Sequence, residues 1–281
     1  MKQYLSLIKF SHTVFALPFA LIGFFFAVWQ EGYSFSIKTF LLVLACMVCA
    51  RSAAMGFNRL ADLKYDRQNP RTAQREIPAG VIPEKGAFIF VIACCAGFII
   101  STYFLNTVCF FLSPVALIVV LGYSYTKRFT HLSHFFLGLG LALAPIGAYL
   151  AVTGEFQLLP VLLGISVLFW VSGFDIIYSL QDEEFDRYQK LFSVPVWLGR
   201  RNALMLSTIL HFFCAVCLLL VAVIGGFHVW YWIGFIIFLS LLIYQHLIVK
   251  ENDLTRVNHA FATTNGVAGI LFSIFVLIDL F

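Results

Sequence analysis

Asn58, Asp62 and Asp66 follow one another at four-residue spacing, and Tyr178, Asp182 and Asp186 repeat it, with Asp175 just ahead of the second set. Residues at i, i+4 and i+8 of an α-helix drift by only about 40° per step, so each set shares one helix face. Carboxylates cannot be left bare at the end of an apolar run, so a cation or a water-filled cavity is expected beside them. Hard oxygen donors with no His or Cys among them suit Mg²⁺, which usually binds one or two carboxylates together with substrate phosphates. Asp62 and Asp182 are 120 positions apart, and so are Asp66 and Asp186. The pattern predicts one domain over residues 1–281, built as a pseudo-repeat. Each copy would hold half of a divided metal site, and the two halves together would cradle a diphosphate.

Basic residues accompany the acidic ones. Arg51 lies seven positions before Asn58 on the same face, Lys64 and Arg67 are interleaved with the carboxylates, and Tyr123, Lys127 and Arg128 close another apolar run. Cations beside an acidic metal site make sense when the ligand is a metal plus diphosphate, whose remaining negative charge they neutralise. The competing reading, membrane-surface anchoring, suits Lys190, Arg200, Arg201 and Lys250 better. Cys46-x-x-Cys49 and Cys214-x-x-Cys217 fall inside apolar runs without turn residues and read as packing residues; no structural disulfide is expected.

The elements that must position these groups are membrane helices. Of 281 residues 61% are hydrophobic and 11% charged, against about 25% charged in soluble domains. Nine apolar stretches approach the length of a bilayer span: roughly 10–29, 36–60, 86–105, 107–126, 132–152, 158–180, 202–224, 229–249 and 260–281. The first lacks a small-residue cleavage pattern and reads as a retained helix. With the N-terminus cytoplasmic, nearly every Lys and Arg falls on the inner side, so both carboxylate sets open to the cytoplasm. The net charge of +4 follows from that asymmetry and gives no reason to invoke nucleic acid. Two long polar connections, about 61–85 and 181–201, follow the two sets directly. Pro70, Pro78, Gly80 and Pro83 interrupt the first, and Pro195 and Gly199 the second, so each is expected to fold over the cavity.

The stretch Arg51-Ser-Ala-Ala-Met-Gly-Phe-Asn58-Arg-Leu-Ala-Asp62-Leu-Lys-Tyr-Asp66, continuing through Asn69-Pro-Arg-Thr to Ile77-Pro-Ala-Gly80, resembles the first signature of the UbiA family of intramembrane aromatic prenyltransferases. Asp175-x2-Tyr178-x3-Asp182-x3-Asp186 resembles the second, and Tyr123-x3-Lys127-Arg128 and the opening Lys9-Phe-Ser-His-Thr-Val-Phe-Ala-Leu-Pro-Phe-Ala resemble further elements. The resemblance implies an all-α bundle of nine transmembrane helices around a central cavity, capped by cytoplasmic loops. It implies Mg²⁺-dependent transfer of a polyprenyl chain from polyprenyl diphosphate to a hydroxylated aromatic acid in quinone biosynthesis. Asn58, Asp62, Asp182 and Asp186 would hold metal, with Asp66 assisting. Lys64, Arg67, Lys127 and Arg128 would contact diphosphate, and Asp175 and Tyr178 would lie near the reacting carbons. A free carboxylate on the acceptor would want Arg51 or Arg128. 4-Hydroxybenzoate and 1,4-dihydroxy-6-naphthoate, of an alternative menaquinone pathway, both answer that description. A CDP-alcohol phosphotransferase would carry an Asp-Gly-x2-Ala-Arg pattern that is missing here, and a cation transporter would need polar residues leading to the outer side.

Overall fold

The computed structural model describes residues 2–7 and 15–281; residues 9–14 of the opening resemblance element, and the first residues of the expected span 10–29, lie outside them. The chain runs through α1 (Lys2–Leu7), α2 (Leu17–Phe25, continued as a π turn to Gln30), α3 (Ile37–Ala61), α4 (Leu63–Asp66) and α5 (Glu84–Leu105). It continues through α6 (Thr107–Thr126), α7 (Ser133–Thr153), α8 (Leu158–Ser179), a 3-10 turn (Leu180–Asp182) and α9 (Glu183–Tyr188). The last helices are α10 (Val194–Gly225), α11 (Val229–Ile248) and α12 (Asn265–Leu280, preceded by a π turn from His259). Eight of these segments are long and apolar enough to cross a bilayer, and Leu17–Gln30 is a shorter ninth. The architecture is therefore the all-α, multi-pass bundle expected, with no strand among the described residues. All seven cysteines are free thiols.

Local chemistry explains where the helices begin and end. Ser36 and Asn106 cap α3 and α6 by accepting from the Thr39 and Cys109 amides, at 3.3 and 2.9 Å. Asp279, near the end of α12, accepts from the His228, Trp230 and Tyr231 amides and so caps α11 from a neighbouring helix. Pro114 inside α6 cannot donate to the Phe110 carbonyl; the Ser113 hydroxyl does so instead, at 2.8 Å. Gly199 breaks α10 with a φ of +75°, which glycine alone adopts without strain.

The helices close into a ring in which α7 packs on α8, α8 on α10, α11 on α12, α3 on α5, and α2 on both α7 and α12. Phe19, Trp170, Leu218, Tyr231, Phe238 and Phe272 fill the largest apolar core, between α2, α8, α10, α11 and α12. One polar chain crosses it: the Trp170 indole donates to Asn265, whose amide donates to Gln245 and to the Ala260 carbonyl, at 2.9, 2.8 and 2.7 Å. The Trp170 indole, the Asn265 amide and the Gln245 carbonyl thereby gain partners, as a low-dielectric interior favours. At the α2–α7 contact a Cβ on Gly23 would stand 2.2 Å from the Pro145 carbonyl oxygen, so only glycine permits this approach. Gly23→Ala is expected to separate the two helices and cost about 1–3 kcal/mol, read as a lower thermal unfolding temperature in detergent.

Candidate active site

α3 and α8 end on carboxylates, and both end in the same way. α3 stops at Ala61 and a new turn begins after Asp62, whose φ/ψ are −90°/4°; α8 passes through its 3-10 turn to Asp182, at −102°/2°. These breaks turn Asp62 and Asp66 from one side, and Asp182 and Asp186 from the other, into one cavity of about 540 Å³. Asn58, Arg51, Tyr123, Lys127, Arg128, Asp175 and Tyr178 also line it, as do loop residues Asn69, Arg71 and Arg75. Lys64 and Arg67 do not. The helical period that puts Asp62 and Asp66 on one face turns Lys64 and Arg67 away from it: Lys64 is exposed and Arg67 pairs at 3.0 Å with Glu84. For these two residues the expected place beside the carboxylates is corrected.

Asp66, Asp182 and Asp186 each meet a cation, and the polar loop supplies two of the three. Arg75 donates to both oxygens of Asp66, at 2.8 and 3.0 Å. Arg71 grips Asp182 through two nitrogens, with Nε at 3.0 Å, and donates to the Tyr178 hydroxyl at 2.9 Å. Asn69 adds a third donor to Asp182, at 3.3 Å. Lys127 Nζ lies 3.3 Å from Asp186. Arg71, Arg75 and Asn69 were not singled out in the sequence, although Asn69-Pro-Arg71 directly after the first acidic set is the signal that marks them. Arg128 donates at 2.5 Å to the Ala61 carbonyl at the end of α3 and lies over the rings of Tyr125 and Tyr65, at 4.5 and 5.7 Å.

Charge is expensive where the cations do not reach. Among the described residues, the Asp62 carboxylate has only the Asn58 amide, 3.0 Å away, as a hydrogen-bond partner. Burial, and then repulsion from Asp66, push its carboxyl up to about 6, although Lys127, Arg128 and Asn58 pull the other way. Lys127 shows the reverse: burial alone would lower its ammonium, but Asp186, Asp182, Asp175 and Asp62 raise it above the ordinary lysine value. Its side chain is 35% accessible, by way of the cavity it lines. Arg71 is likewise raised, with Asp182 outweighing burial. Among the described residues no three acidic, His or Cys side chains converge tightly enough to enclose a metal. The donor set is nonetheless all oxygen, which is the chemistry a hard divalent cation requires.

Further features frame the cavity. Arg51 and the buried Arg59 lie on α3, and each has a buried Nε without a hydrogen-bond partner among the described residues. Beyond Arg51, Met55, Tyr123, Leu137 and Leu141 the polar cavity continues into an apolar chamber of about 320 Å³ between α3, α5, α6 and α7. Tyr178 stacks on Phe261 in the opposite wall, with centroids 4.1 Å apart. Asp175, one turn above Tyr178, accepts from the His134 imidazole at 2.7 Å.

The UbiA prenyltransferase family model matches residues 16–272 of this sequence. The chain belongs to the UbiA prenyltransferase family. It is 28% identical over 228 residues to the 4-hydroxybenzoate octaprenyltransferase of Aliivibrio fischeri strain MJ11, covering 80% of this chain and 78% of that protein. A UbiA homolog from Aeropyrum pernix K1 has the same fold at a TM-score of 0.86 and 32% identity, over 96% of this chain and 98% of that one. A UbiA homolog from Archaeoglobus fulgidus, solved with GPP and Mg²⁺, superposes at a TM-score of 0.73 and 21% identity, over 99% of each chain. The two acidic helix ends thus belong to a prenyltransferase, a class of enzyme that must neutralise a departing diphosphate. Arg71→Ala is expected to lower kcat/KM for the prenyl diphosphate roughly 10²-fold. Arg71→Lys, which keeps the charge and loses the fork, should fall between it and wild type in the same steady-state assay.

Proposed function

We propose that the protein transfers a polyprenyl chain from its diphosphate to a ring carbon of a hydroxylated aromatic acid of the 4-hydroxybenzoate type, a step of quinone biosynthesis. The observation that carries this reading is the continuity of the site: two acidic helix ends face one cavity, and that cavity opens into an apolar chamber. The name borne by the Aliivibrio relative and the GPP and Mg²⁺ in the Archaeoglobus structure support it. Mg²⁺ is the ion to which the donor set answers, with Asn58, Asp62 and Asp66 on one side and Asp182 and Asp186 on the other. When bound, it supplies Lewis-acid stabilisation of the charge that builds on the leaving diphosphate.

The chain's own groups do the rest. Arg71, Arg75 and Lys127 are long, cationic and already directed into the cavity, so their ends can pass from carboxylate to phosphate oxygens as the diphosphate enters. The apolar chamber receives the prenyl tail and keeps water from the allylic cation. The stacked rings of Tyr178 and Phe261 offer their faces to the same cation. Arg51, whose Nε lacks a partner among the described residues, is the counter-ion for the acceptor carboxylate, with Tyr123 beside it. Asp175 accepts the ring proton. The positive-inside rule puts the N-terminus and the mouth of this site in the cytoplasm. The matching breaks at Asp62 and Asp182 favour a single domain of two related halves.

Purified protein with Mg²⁺, a polyprenyl diphosphate and 4-hydroxybenzoate or 1,4-dihydroxy-6-naphthoate in parallel is expected to prenylate at least one acceptor and to stop when the metal is chelated. Asp62→Ala and Asp182→Ala should each abolish turnover without altering membrane insertion; normal turnover in both would remove the metal assignment. Arg51→Ala should raise the KM of the acceptor and leave that of the prenyl diphosphate unchanged.

A further inference from the structure

Asp66, Asp182 and Asp186 each meet a cationic side chain within hydrogen-bond reach. Asp175 is held differently. Its hydrogen-bond partner is the imidazole of His134, which is wholly buried, whereas the Asp175 side chain is 20% accessible and lines the cavity. His134 stands in the first turn of α7. Its Nδ1 lies 2.7 Å from Asp175 Oδ2, and its Nε2 faces the Val194 amide at 3.4 Å. An amide can only donate, so Nε2 is the acceptor and the ring proton sits on Nδ1, directed at the carboxylate. The Val194 N–H is one of the amides at the start of α10 that have no partner within their own helix. The same segment is tied to the start of α7 a second time, where the His131 ring meets the Ser193 carbonyl at 3.1 Å. One neutral imidazole therefore links a helix start in the second polar loop to an acidic group in the cavity.

We infer that His134 is a positioning residue for prenyl transfer: it fixes the rotamer of Asp175 and keeps that carboxylate from pairing with the cavity's cations. This rests on the reading of Asp175 as the base that takes the ring proton. In that step the C–H bond at the alkylated carbon breaks, its electron pair restores the aromatic ring, and the proton passes to the Asp175 oxygen not engaged by His134. A carboxylate left free within electrostatic reach of Lys127 would swing to it, as Asp186 does. A neutral donor on one oxygen holds the side chain in place and leaves the other oxygen facing the cavity.

The two amide replacements for histidine separate this role from a structural one. In His134→Asn the side-chain N–H stands near the Nδ1 position and still reaches Asp175; in His134→Gln the amide oxygen can meet the Val194 N–H but no donor stands at Nδ1. With geranyl diphosphate, 4-hydroxybenzoate and Mg²⁺, His134→Gln is expected to lose kcat by roughly 10²-fold, within the range of a general base, with the KM of the diphosphate unchanged. His134→Asn should stay within a few-fold of wild type. With acceptor deuterated at its ring positions, His134→Gln should acquire a normal kinetic isotope effect that the wild type lacks, because proton removal becomes slow. Diphosphate release from geranyl diphosphate alone should be equal in all three proteins. Equal kcat in the Gln variant and wild type, or equal losses in the Asn and Gln variants without an isotope effect, would overturn the inference. Asp175→Asn tests the reading beneath it: full turnover there removes the base itself, whereas loss there with an unimpaired His134→Gln removes only the positioning role.

Discussion

A carboxylate withdrawn from water costs several kcal/mol unless a partner offsets the loss, and five of them gather at one end of this apolar bundle. The way those charges are neutralised governs what surrounds them. Arg71 and Arg75 come from no helix; they sit in the connection after α4, and their pairing with Asp182 and Asp66 draws that connection over the cavity. Lys127, at the end of α6, does the same for Asp186. The cover of the site and the charge balance of the site are thus a single structure. It also explains the proline-rich wording of the loop, which must turn sharply to bring Asn69 and Arg71 to one carboxylate.

The helices contribute geometry more than charge. Both α3 and α8 stop one residue or one turn short of an aspartate with nearly the same backbone torsions, and each resumes as a short helix. Four-residue spacing keeps each pair of aspartates on one helix face, and the break re-aims the short helix that follows. The break lets Asp62 with Asp66, and Asp182 with Asp186, face one space. Helix ends leave carbonyls without partners, and Arg128 answers one of them at Ala61 while stacking on two tyrosines.

Much of this was legible in the residues alone. The nine apolar stretches, the all-helical class and the facing acidic sets follow from hydropathy and four-residue spacing, and they stand in the fold apart from the shortness of Leu17–Gln30. The cations were harder to read. Lys64 and Arg67 are interleaved with the carboxylates in sequence, but offsets of two and five residues from Asp62 put them on other sides of a helix, and interleaving in sequence is not adjacency in space. Arg71 and Arg75 reach the site through a loop, whose path no periodicity describes. His134 was out of view for a different reason: it is 41 positions from Asp175, and a lone histidine at a helix start carries no spacing signal.

One feature of the interior has a wider bearing. The polar cavity and the apolar chamber meet at a seam of Arg51, Met55, Tyr123, Leu137 and Leu141, which line both. Such a seam works as the boundary between two solvents. A molecule with a charged head and an oily tail finds its register along the bundle by partitioning each end into its own medium. Its bond of departure is then fixed at the border by phase preference, and the length of the tail need not enter into where the head comes to rest.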